Sequence, residues 1–105
     1  MQIELLIDGK KKLFTAPIVP MLAKRKYLEI EAKAAEREDP ITIRQQLDED
    51  VEILSIISNV IFNNQFTNEQ LLEGASEDYF REKLHEAVFG IKPKKKAEEG
   101  NNQGE

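Results

Sequence analysis

The stretch Val51-Glu52-Ile53-Leu54-Ser55-Ile56-Ile57-Ser58-Asn59-Val60-Ile61-Phe62 decides how the rest of the chain reads. Leu47, Val51, Leu54, Ser58 and Ile61 fall on one line at helical spacing. Ile53, Ile57 and Val60 make a second line, and Ile56 joins them, so apolar side chains cover much of the helix circumference. A helix dressed in this way is either the centre of its own bundle, covered by neighbouring elements, or it keeps part of its surface for another chain. A domain of about 90 ordered residues buries only about 60 to 65 percent of its unfolded surface, so both readings stay open.

Working upstream, Glu38-Asp39-Pro40 breaks the chain before this helix, which therefore runs from about Ile41 or Thr42 to Phe62. A separate run from Met21 to about Arg37 is rich in Ala, Leu, Glu, Lys and Arg and predicts a helix. Met21, Leu28, Ala32 and Ala35 lie on one side of it, with Tyr27, Ile30 and Ala34 beside them, and Pro20 suits its first helical position. Ala16-Pro17-Ile18-Val19-Pro20 is a rigid extended connector. Before it, Ile3, Leu5 and Ile7 alternate up to Asp8-Gly9, and Lys10 to Thr15 follow, which predicts a hairpin over residues 2–15. Leu6 and Leu13 interrupt the alternation, and a lone two-stranded ribbon is marginal in water, so helices must pack on it.

Downstream, Asn63-Asn64-Gln65 ends the central helix. Thr67 with Gln70 three residues on forms a capping box, predicting a short helix to Glu73 with Gly74 as a left-handed C-cap. Ser76 is a fresh N-cap with Glu77 and Asp78 in the first turn, and Tyr79, Phe80, Leu84, Val88 and Phe89 supply an apolar face before Gly90. The final stretch, Ile91 to Glu105, is a block of lysines followed by Glu, Gly and Asn, too poor in apolar residues to offset its ordering entropy. The expected fold class is therefore α+β and mostly helical: an N-terminal β-hairpin followed by about four α-helices in one domain over residues 1–90, with a disordered tail at 91–105.

Composition excludes several function classes. The 105 residues contain no cysteine and one histidine, which removes disulfides, thiolate metal sites, cysteine nucleophiles and sites with several His ligands. Fifteen Lys and Arg against twenty Asp and Glu give a net charge of -5, so generic attraction to phosphate backbones is not expected. No apolar run approaches membrane-spanning length, and Glu4 and Asp8 bracket too short an apolar run for a signal peptide, so a soluble cytoplasmic protein is expected.

Candidate chemistry is sparse. Glu82, His85 and Glu86 stand at helical spacings that can converge on a cation, but no further His or Cys completes a shell. Asp48, Glu49, Asp50 and Glu52 point in different directions around a helix and lack a calcium-loop spacing, so a solvated acidic face accounts for them better. Phosphate-cradling loops and nucleophile elbows are missing from the sequence. No enzyme activity, cofactor or metal is expected. Three basic clusters, Lys10 to Lys12, Lys24 to Lys26 and Lys92 to Lys96, support an alternative reading as a small nucleic-acid-binding regulator; the net acidity and the lack of interleaved aromatics weigh against it.

The hairpin turning at Asp8-Gly9-Lys10 and closing in Phe14-Thr15-Ala16-Pro17-Ile18-Val19-Pro20 resembles the opening of the tail assembly chaperones of long-tailed phages and prophages of Gram-positive bacteria. The run from Val60 to Gly74, carrying Phe62-Asn63-Asn64-Gln65-Phe66-Thr67, is similar to a segment of that family, and the closing Val88-Phe89-Gly90 fits as well. The likeness spans about residues 1–90, while residues 21–50 match by helix content only. It implies a non-enzymatic factor of the bacterial host's cytoplasm, absent from the mature virion. Such a factor coats the tape measure protein and keeps it soluble while tail tube (major tail) subunits assemble. It further implies self-association into a homo-oligomer, and a longer frameshifted form that recruits the tube protein. No nucleic-acid or membrane partner is implied. Lys94-Lys95-Lys96 suits A-rich codons on which ribosomes slip. The surface nominated for the partner is Ile53, Ile56, Ile57, Val60 and Ile61, supported by Phe80, Leu84 and Val88.

Overall fold

A computed structural model of the chain describes residues 1–90, so the expectations for the tail at 91–105 lie outside the described residues. Strands β1 (Gln2–Ile7) and β2 (Lys10–Thr15) pair antiparallel, with Ile7 opposite Lys10 and Gln2 opposite Thr15. The two-residue turn between them has φ of 54° at Asp8 and 76° at Gly9, the doubly left-handed backbone whose twist matches that of a hairpin. This register settles the interrupted alternation: Ile3 and Leu5 are fully buried, while Leu6 and Leu13 face outward. At the open end, the Met1 ammonium donates to the Ala16 carbonyl and the Ala16 N–H donates to the Met1 carbonyl, both at 2.8 Å.

Helix α1 spans Met21–Glu36. Pro20, expected as its first residue, is instead its N-cap, with an extended backbone. Of the wide stripe expected on α1, Tyr27, Ile30 and Ala34 turn to the core together with Ala23, whereas Met21, Leu28, Ala32 and Ala35 are exposed. Small side chains at Ala23 and Ala34 let α1 lie close to its neighbours, and Tyr27 meets Phe89 edge-on at 5.9 Å.

Helix α2 (Ile43–Ser55) starts at Thr42, whose hydroxyl accepts from the Gln45 N–H while the Gln45 side chain accepts from the Thr42 N–H. From Ile56 to Ile61 the same helix widens to π geometry. It closes with the Phe62 N–H on the Ile57 carbonyl at 3.0 Å and the Asn64 N–H on the Ser58 carbonyl at 2.8 Å. Asn63 and Asn64 then take left-handed backbones, φ 56° and 65°, which asparagine tolerates better than most residues.

Helix α3 (Asn68–Gly74) begins at the expected Thr67–Gln70 capping box. Its end differs from expectation: Gly74 is the last helical residue, Ala75 is the C-cap with extended backbone, and neither has a positive φ. Helix α4 (Glu77–Phe89) begins at Ser76 as expected, and Gly90 caps it with a left-handed φ of 69°.

The core forms where β1, the π stretch and α3 meet. Phe62, Ile3, Leu5, Ile56, Ile57 and Leu71 are its largest fully buried side chains, and Phe66 stacks obliquely on both Phe14 and Phe62. Ser58 is the buried polar residue among the described residues, and its hydroxyl donates to Asn68 Oδ1 at 2.5 Å. Asn68 Nδ2 in turn donates to Ser55 Oγ at 3.0 Å, which joins the central helix to the start of α3. Helix α1 packs against α4, α2 and the π stretch. Its C-terminal end is tied to α2 by an Arg37–Glu49 ion pair.

Candidate functional site

The four helices leave a groove between them of about 500 Å³. Each wall follows from a local feature already described. Helix α1 contributes Tyr27 and Glu31; α2 contributes Asp50, Ile53 and Leu54. Helix α3, started by its capping box, brings Leu71 and Leu72. Beyond Ala75, α4 presents Phe80, Arg81 and Leu84 at the i, i+1 and i+4 positions of one face. The floor is apolar and the rim is charged. Leu72 is 65% exposed, whereas Ile53, Phe80 and Leu84 are half-buried and pack against the core from one side only.

On the rim, Arg81 Nη2 donates to Glu77 Oε2 at 2.6 Å. That hydrogen bond, followed by the Glu77 charge, raises the guanidinium's pKa above its ordinary value, with smaller help from Asp78 and Asp50. The Arg81–Glu77 pair is mostly exposed, so it orients the rim more than it stabilises the fold. With Glu31, Asp50 and Glu77 against one arginine, the rim is net negative. An apolar floor inside an acidic rim favours an amphipathic segment that buries its apolar face and carries basic flanks.

The structure divides the residues nominated from sequence. Ile53, Phe80 and Leu84 come together in the groove. Ile56, Ile57, Ile61 and Val88 are buried in the interior, 5% exposed or less. Val60 is half-buried in a second hollow of about 340 Å³ between α1 and the central helix, beside Ile30, Lys33 and Ile56. The apolar girth of residues 51–62 is thus divided between core and groove. Sequence reasoning missed Tyr27, Leu71, Leu72 and Ala75. Leu71 and Leu72 sit within a capped helix whose apolar pair was visible but whose facing partner was not. Among the described residues no three His, Asp or Glu side chains gather as a metal ion requires, and no helix is long and apolar enough to cross a membrane. The ring of His85 lies 4.9 Å from that of Phe89.

A helical body braced by a hairpin, with an apolar groove framed by carboxylates, has the makings of a protein-binding surface. A family model described as phage tail chaperone protein matches residues 1–105, and the chain belongs to that family. No curated protein and no solved structure matches it.

Proposed function

We propose that this tail chaperone is a non-enzymatic holdase that takes apolar helical segments of the tape measure protein into the groove between its four helices. The supporting observation is the groove itself, with Ile53, Phe80 and Leu84 half-buried and Leu72 exposed, in a chain of the phage tail chaperone family. Burial of apolar area supplies affinity without strict sequence specificity, and the net charge of -5 keeps the complex soluble. The chain acts in the cytoplasm of its bacterial host, self-associates along its client, and leaves before the virion is complete. Residues 1–90 are the folding unit, and a longer frameshifted form recruits the tail tube protein.

The test is co-expression of the chain with its cognate tape measure protein. The wild-type chaperone keeps the tape measure protein in the supernatant and is retained with it on an affinity column. Leu72→Asp and Leu84→Asp lose both properties while keeping the helical circular-dichroism signal. Retention of binding by both folded variants would remove the groove from the proposal. The frameshift is read from the coding DNA across Lys92 to Glu105: a slippery A-rich heptamer with an overlapping frame supports it, and neither feature leaves the tube protein to be recruited otherwise.

A further inference from the structure

We infer that the outer face of α1 pairs antiparallel with the same face of a second copy of this chain. The inference rests on the self-association proposed above and supplies its surface and geometry. Met21, Leu28, Ala32 and Ala35 recur at helical spacing on the side of α1 opposite its core-facing Ala23, Tyr27, Ile30 and Ala34. This second stripe has no cover: Met21 is 92% exposed and Leu28 50% exposed. Helix α1 is therefore apolar on two opposite sides, and one of these is accounted for by the fold.

The charges beside the stripe indicate what covers it. Lys24 and Arg25 flank its N-terminal half, and Glu29 and Glu31 its C-terminal half. Among the described residues none of these four is in an ion pair. Lys24 and Glu31 border one edge of the stripe, Arg25 and Glu29 the other. Antiparallel pairing centred on Leu28 sets Met21 against the partner's Ala35, large against small. The same pairing sets Lys24 opposite the partner's Glu31 and brings Arg25 beside the partner's Glu29, on both edges at once. Parallel pairing about a two-fold axis would instead set Lys24 beside the partner's Arg25 and Glu31 beside the partner's Glu29, like charge against like. Ala32 and Ala35 allow the two helices to approach to about 8 Å. A hollow bounded by Met21, Lys24, Arg25, Leu28, Glu29 and Ala32 receives the partner's side chains. Face, charge order and side-chain sizes are thus self-complementary in one orientation, as an isologous two-fold contact requires.

The experiment combines sedimentation equilibrium with cysteine cross-linking, which is clean because the chain has no cysteine of its own. Lys24→Glu and Glu31→Lys each reverse two symmetry-related pairs, and each is expected to weaken self-association about tenfold. The double variant is expected to return to near the wild-type constant. A mixture of Met21→Cys and Ala35→Cys chains treated with a short bis-maleimide gives the mixed dimer in preference to either homodimer. All substituted side chains lie on the exposed face, and an unchanged thermal unfolding curve verifies that each variant folds. Oligomers whose association ignores both charge reversals overturn the inference while leaving self-association through another surface intact. Preferential Met21→Cys homodimers would show parallel pairing and also overturn it. A chain that stays monomeric at every concentration overturns this inference and the self-association together, with the groove proposal still to be judged on its own binding data.

Discussion

A Cβ added to Gly74 in α3 would lie 2.7 Å from the Leu6 carbonyl oxygen and 3.0 Å from the Leu6 nitrogen in β1. Both atoms are backbone and neither can swing aside, so α3 rests on the hairpin only because residue 74 has no side chain. Helix propensity alone makes Gly74→Ala stabilising by as much as about 1 kcal/mol. Overpacking against a backbone costs about 1 to 3 kcal/mol and reverses that sign. The substitution is therefore expected to lower the unfolding midpoint by several degrees, about 4 to 8 °C for each kcal/mol lost in a domain of this size. Thermal unfolding followed at 222 nm measures it, and an unchanged or raised midpoint would refute the close approach.

What the sequence disclosed and what it withheld divide along a physical line. The Asp8-Gly9 turn, the Thr67–Gln70 box and the Ser76 cap are local, since each joins groups a few residues apart, and the structure contains all three. Gly74 is visible in the sequence as a glycine, but its reason lies in a strand nearly seventy positions away, and neighbouring residues alone suggest a left-handed cap instead. The π widening at Ile56–Ile61 carries no distinctive residue type and leaves the apolar pattern looking like an ordinary helix. On α1 both sides are apolar, and the sequence pattern joins Met21 and Leu28 to Tyr27, Ile30 and Ala34 in one wide stripe. Packing turns the Tyr27, Ile30 and Ala34 side inward, with Ala23 beside it, and leaves Met21 and Leu28 exposed. The groove depended on knowing which faces of four helices converge, and only Ile53, Phe80 and Leu84 could be named in advance.

Ser58 and Asn68 form an energetically coupled pair. The Ser58 hydroxyl is buried and donates to Asn68, which also reaches Ser55. Asn68→Ala strands the hydroxyl and is expected to cost about 1 to 3 kcal/mol, whereas Ser58→Ala removes the buried group and costs less. The double substitution should cost less than the sum, giving a coupling of at least about 0.5 kcal/mol in urea unfolding. Additive losses would mean that the two side chains act independently.

Tyr79 holds the outer edge of the hairpin. Its hydroxyl accepts the Glu4 N–H at 2.9 Å, giving that edge-strand donor a partner on α4. Tyr79→Phe keeps the ring and removes the acceptor, so the global cost should stay at about 0.5 to 1.5 kcal/mol, the net worth of one hydrogen bond. The sharper readout is local: hydrogen exchange at the Glu4 amide should accelerate well beyond what that small global loss explains. Equal acceleration at all core amides would show that the hydroxyl braces the whole fold instead.

Leu72 and Ile57 separate binding from folding. Leu72 is 65% exposed on the groove rim, so an aspartate there loses little buried area and should leave the unfolding midpoint within about 0.5 kcal/mol of wild type. Ile57 is fully buried within the apolar core. An aspartate at that position creates both a cavity and an unpaired buried charge, a combination expected to cost at least about 4 kcal/mol. Since small domains hold only about 5 to 15 kcal/mol of net stability, Ile57→Asp should be largely unfolded or close to it at 37 °C. Circular dichroism alongside capture of the tape measure protein reads both properties on the same samples. A folded Leu72→Asp that fails to capture its client, beside an Ile57→Asp that fails to fold, assigns the groove to function and the π stretch to the core. A folded Ile57→Asp would instead return the apolar girth of residues 51–62 to the surface.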